Sequence, residues 1–173
     1  MMRTPGNETA MPETNGMDKS AFDRQAGVLL HVSSLPGPYG IGEIGAQALA
    51  FVDTMRAMNL AVWQFLPLGP TAYGDSPYQP LSSFAGNEML IDVGDLVERG
   101  LVRPDETRQL ERLPSDFVDY AALIPAKERV LALAARRFEE QADEPQSAAY
   151  CDFVEQNNDA WLHDYALFRV LKS

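Results

Sequence analysis

Two short apolar runs on either side of a helix-period stretch constrain this chain most. Residues 26–32 (AGVLLHV) and 60–66 (LAVWQFL) are each short enough for a strand, and both are rich in aliphatic or aromatic residues. The first reads as a strand covered on both faces. Between them, Ile44, Ala48, Phe51, Val52, Met55 and Met58 recur at helical spacing, with Asp53 and Arg56 off that face. Asn59 suits the left-handed position that ends a helix. The pattern is strand, helix, strand with short connections. Such crossovers join parallel strands and are right-handed in nearly all cases. In parallel barrels and doubly wound sheets, ligands sit at the carboxyl ends of the strands. Here those ends open into two irregular loops, 33–42 and 67–86.

The second loop carries most of the functional information. It leaves the strand at Pro67 and returns to an apolar run at Met89. Loops of this length inside compact domains are uncommon and usually functional. Tyr73 and Tyr78 lie among its Gly, Pro and Ser residues. Tyrosines braced in this way offer flat, amphipathic faces at low entropic cost, which suits stacking on a sugar ring. The same residues equally suit a structural loop whose aromatics cover the layer beneath.

Beyond Asp92 the sequence turns helical. Residues 94–99 predict a short helix stopped by Gly100. Pro104 stands at a first helical position, with Asp105 and Glu106 favourable at the positive end of a helix running to Leu113. Pro125 starts a longer helix to about Gln141, its buried side formed by Val130, Leu131, Ala134 and Phe138. Residues 144–156 suggest another. Asn158 caps a last helix with Trp161, Tyr165, Phe168 and Leu171 on one face. The first twenty residues have the composition of a disordered tail.

Charge narrows the partners. The 173-residue chain carries a net charge of −11 and a pI near 4.5. Nucleic-acid binding needs a basic patch, and anionic membranes attract basic segments, so neither partner is expected. Cys151 is the single cysteine. With no disulfide framework available, a reducing compartment, the cytoplasm, is the natural inference. No run approaches the roughly 18 apolar residues of a membrane span.

Three segments, GVLLHVSSLPGPYGIGEIG, WQFLPLGPTAYGDSPYQPLSSFAGNEMLID and, more weakly, WLHDYALFRVLK, resemble the amylomaltases. These are 4-α-glucanotransferases, or disproportionating enzymes, of the α-amylase superfamily. The likeness runs from Gln25 to Lys172. Ser33 and Glu88 depart from the residues common in that family. The resemblance implies an α/β fold, the N-terminal part of a (β/α)₈ TIM barrel. Its first two strands would be followed by an inserted helical subdomain, with the catalytic strands lying beyond the chain. The expected division is a tail over 1–20, barrel units with the substrate loop over 21–93, and the helical subdomain over 94–173.

The implied activity is transfer of an α-1,4-glucan segment to the 4-hydroxyl of glucose or another glucan, by a retaining mechanism and without metal or other cofactor. Retention needs two carboxyl groups about 5–5.5 Å apart. Nothing in this sequence matches the family's catalytic motifs, so no catalytic residue is expected here. By resemblance, Ser76 and Tyr78 line the sugar subsites at the cleavage point, and Tyr73 belongs to a secondary glucan site on the surface. Asp75 reads as a turn residue and Asp92 as the close of the apolar run. His31 reads as a hydrogen-bonded core histidine, and Trp63 and Gln64 as braces. Gly40, Gly42 and Gly45 form a weak dinucleotide-like pattern whose acidic partner is absent. A carbohydrate-binding remnant without catalysis, or a related hydrolase or branching enzyme, are the alternatives.

Overall fold

The computed structural model describes residues 24–71 and 76–172; the expected tail over 1–20 lies outside them. Strand β1 (Gly27–Leu29) pairs in parallel with β2 (Val62–Gln64), Gly27 opposite Val62 and Leu29 opposite Gln64. Helix α1 (Ala46–Ala57) connects them, so the βαβ reading holds. Both strands are shorter than the apolar runs that signal them. After β1 the chain turns at Val32–Ser34 into a single 3₁₀ turn that buries Val32. Asn59 takes φ 56°, the left-handed position expected of it.

The strands are not covered on both faces. Leu29, Val62 and Phe65 are 62%, 41% and 46% exposed. Among the described residues only one side of the pair is lined, by Trp63 against Phe51 at 4.9 Å in edge-to-face contact. The Trp63 indole N–H donates to the Leu30 carbonyl at 2.8 Å, which satisfies its polar edge and braces the strand end. The outward face of α1 shows the same effect. Ala48 and Met55 are buried, while Ile44, Val52 and Met58 are exposed.

The core sits elsewhere, where the two loops meet the later helices. Val32, Leu35 and Ile41 of the first loop join Met89, Leu90 and Val93 beyond the second. Leu123, Ala126 and Val130 of α3 (Tyr120–Gln141) close the cluster. Helix α2 (Val93–Glu98) ends with Gly100 at φ 73°, as its sequence predicts. Helix α4 (Glu144–Asn157) opens with a reciprocal capping box between Asp143 and Gln146.

Three helical expectations fail for local reasons. Residues 104–113 form successive turns rather than a helix. Their N–H groups mostly reach three residues back, as in Glu106 to Arg103 and Leu110 to Thr107. The Thr107 hydroxyl also donates to the Pro104 carbonyl at 2.9 Å, competing with the backbone N–H groups. Helix α3 starts before Pro125, because Asp119 caps it by accepting from the Ala122 N–H at 3.1 Å. Pro125 therefore lies inside the helix, where its missing N–H leaves the Ala121 carbonyl without that donor. Asn158 does not cap a separate helix. Its φ −53°, ψ −56° are helical, and a π turn over Asn158–Leu162 carries α4 directly into α5 (His163–Lys172).

Arg137 of α3 fastens the irregular stretch. Its guanidinium forks onto Glu106, with both N–H···O distances 2.7 Å, and also reaches the Leu101 carbonyl at 2.9 Å. These bonds, with the Arg103 N–H, hold the Glu106 carboxyl down to about 2 from its ordinary 4.5. A depressed carboxylate stabilises the fold above its unfolded pKa and loses that contribution as pH falls through the folded value. The melting temperature is therefore expected to fall between pH 4.5 and 2. Arg137→Met should flatten that part of the profile, which thermal melts across the range will show.

Candidate substrate-binding loop

The second loop is pinched shut at its base. The Leu81 N–H donates to the Pro70 carbonyl at 2.8 Å, and Thr71 bridges Pro80 in antiparallel fashion. Further along, the Asn87 N–H donates to the Leu68 carbonyl at 2.8 Å. Within this clasp, Ser76 to Gln79 form a β-turn. The Gln79 N–H reaches the Ser76 carbonyl at 3.2 Å, and the Ser76 hydroxyl accepts weakly from the Tyr78 N–H at 3.4 Å. Serine first and proline second are favoured choices for such a turn. Pro77 fixes φ between them. Tyr78 then stands 68% exposed, with its backbone committed and its ring free to meet a ligand.

Ser76 and Tyr78 thus lie on one turn, as their spacing suggests. Tyr73 and Asp75 lie outside the described residues. Beside the clasp, Thr71, Leu81, Glu88, Ile124 and Arg169 line a cleft of about 620 Å³.

The ends of the two loops are stitched together, and the sequence reading missed this. The Ile44 N–H donates to the Leu90 carbonyl at 2.8 Å. Glu43 accepts from the Val93 N–H at 3.2 Å and from Lys127 of α3, whose ammonium also donates to the Met89 carbonyl at 2.8 Å. Lys127 is fully buried and Glu43 nearly so. Burial pushes the Glu43 carboxyl up and the Lys127 amine down, each against the pull of the other. The available signal was a lone lysine on the buried stripe of α3, beside Ala126 and Val130.

Asp92 does not merely close the apolar run. Its carboxylate caps α2 through the Asp95 N–H at 3.2 Å and α1 through the Ala46 N–H at 3.0 Å. Gly45 makes this possible, since a Cβ there would fall 1.4 Å from Asp92 Oδ2. Close backbone packing therefore accounts for a glycine of the GIGEIG pattern. Asp92→Ala should lower stability by about 1–2 kcal/mol through the lost caps, measurable by urea denaturation.

His31 also differs from its reading. It is half-buried, and its Nδ1 has no hydrogen-bond partner among the described residues. Desolvation lowers its pKa, so it is held neutral. Among the described residues no group of three or more His, Cys, Asp or Glu side chains is placed to hold a metal ion. None of the described helices is long and apolar enough to cross a membrane.

Comparison with known proteins decides the family. The 4-alpha-glucanotransferases of glycoside hydrolase family 77 match residues 30–173. The chain belongs to this family. It is 46% identical to the 4-alpha-glucanotransferase of Thermus thermophilus and 43% identical to that of Streptococcus pneumoniae, in both cases over 86% of this chain. A chloroplastic/amyloplastic 4-alpha-glucanotransferase of Solanum tuberosum is 36% identical over the same share. The amylomaltase of Streptococcus agalactiae, solved in complex with acarbose, superposes with a TM-score of 0.79 at 38% identity over 87% of this chain. The chain spans 29% of the length of the two bacterial relatives and 30% of the amylomaltase. The parallel strand pair and its helices are therefore the α/β arrangement of one part of this family's fold.

Proposed function

We propose that this chain supplies the substrate-binding loop of a cytoplasmic 4-α-glucanotransferase, and that β1 and β2 are the first two strands of its (β/α)₈ barrel. Residues 21–93 form the opening barrel units and 94–173 the inserted helical subdomain. The complete protein transfers a segment of an α-1,4-glucan to the 4-hydroxyl of glucose or another glucan, with retention and without metal or organic cofactor. Tyr78 packs on the glucose at the cleavage point, the Ser76 hydroxyl bonds a sugar hydroxyl, and Tyr73 serves a secondary glucan site. The carboxylates of the double displacement lie outside this chain.

The observation that carries the reading is the Ser76–Gln79 turn, which follows β2 and holds Tyr78 exposed inside a clasped loop. A ring carried on a turn whose backbone is already held stacks on a pyranose with less ordering cost than one on an unheld loop. Family membership supports the substrate class, and acarbose, the ligand of the Streptococcus agalactiae amylomaltase, is the natural probe.

The test uses a hybrid in which residues 24–172 replace the matching segment of the Thermus thermophilus relative. Calorimetric titration should show saturable acarbose binding by the hybrid, weakened at least about tenfold by Tyr78→Ala, the loss of one stacking contact. Equal affinity in parent and variant would contradict the role given to the loop. The 173-residue chain alone should release no glucose from maltotriose, because its carboxylates do not include the retaining pair. Release above a control lacking protein would overturn that part.

A further inference from the structure

The last helical segment touches the substrate loop through one face. Trp161, Tyr165 and Arg169 follow each other at four-residue spacing, so they lie in one row. The Trp161 ring stacks near-parallel on Phe84 of the loop, with centroids 6.4 Å apart and planes at 21°. Arg169 pairs with Glu88, at the loop's exit. Tyr165 lies between them, 6.2 Å from Trp161 by ring centroid and 3.4 Å from Arg169 by its hydroxyl.

Each contact is itself braced. The Trp161 indole N–H is committed to Asn157 Oδ1 at 2.9 Å, so the ring presents its face to Phe84. The Ser82 hydroxyl accepts from the Phe84 and Ala85 N–H groups, both at 3.1 Å, joining the Phe84 ring to a fixed turn. Glu128 of α3 approaches Arg169 at 3.9 Å from the other side. The π turn Asn158–Leu162 that carries Trp161 is a rare element that recurs frequently at functional sites.

We propose that the Trp161–Tyr165–Arg169 face is a positioning element for the loop bearing Ser76 and Tyr78. It grips the returning half of the loop at Phe84 and Glu88, and so fixes the orientation in which Tyr78 meets a glucan. This rests on the substrate-loop reading above. None of the three residues touches sugar; they act through the loop.

Two measurements test the proposal. In the 173-residue chain, hydrogen exchange of the 76–86 amides should quicken about tenfold in Arg169→Met and in Phe84→Ala, with α3 amides unchanged. In the hybrid, Arg169→Met should raise KM for maltotriose about fivefold with kcat within about twofold, the pattern of lost binding shared by ground and transition states. The charge reversal Glu88→Arg with Arg169→Glu should restore the parental KM, which a merely destabilised fold would not do. Unchanged exchange in both variants would overturn the proposal, as would parental KM in Arg169→Met of an active hybrid. A hybrid without activity would count against the functional reading, and the exchange data would then decide the positioning role by themselves.

Discussion

In the hybrid, Tyr78→Ala should lower kcat/KM for maltotriose by roughly ten- to a hundredfold, by analogy with the ~1–3 kcal/mol of aromatic–base stacking and at 1.36 kcal/mol per tenfold in rate. Tyr78 is 68% exposed, and its placement depends on the Ser76–Gln79 turn rather than on burial of its ring. The substitution should therefore leave the melting temperature close to the parent's. On the proposed packing of Tyr78 against the glucose at the cleavage point, part of the loss should fall in kcat, because glycoside cleavage passes through an oxocarbenium-like transition state. Tyr73→Ala should leave maltotriose kinetics near parental and change the products made from long amylose. Steady-state kinetics on both variants separate the two roles.

The largest expected loss of stability comes from Lys127. Lys127→Met in the 173-residue chain should cost about 3–5 kcal/mol, the usual penalty for leaving a buried charge without its partner. Glu43 would keep its Val93 N–H bond and lose its cation, and the Met89 carbonyl would lose a donor. Glu43→Leu combined with Lys127→Met should recover much of that loss, since removing both charges removes the desolvation cost. Urea denaturation of the parent, the single and the double variant checks both statements. A single variant as stable as the parent would show that the pair carries little weight.

The pair also marks where the sequence is hard to read. Periodicity shows α1 and the later helices because their apolar residues recur at a spacing set by the helix itself. It cannot show that Glu43 and Lys127, 84 residues apart, meet beneath the loops. The same limit hides Arg169 and Glu88, which belong to segments that read separately as an amphipathic helix and a loop. Pro125 and Pro104 misled in the same way. Each looks like a helix start, but Asp119 caps α3 earlier, and Thr107 and Glu106 commit their side chains to other partners. The turn that carries Ser76 and Tyr78 was legible because it is local. Ser76, Pro77 and Tyr78 make their turn from adjacent residues, whatever lies around them.

The most direct measurement is the product pattern of the hybrid on maltotriose. Residues 24–172 supply the loop, and the Thermus thermophilus relative supplies the remainder. The account predicts glucose together with oligosaccharides longer than maltotriose, formed by transfer and separable by chromatography. A hybrid that folds as its parent does and yields no longer oligosaccharide would contradict it.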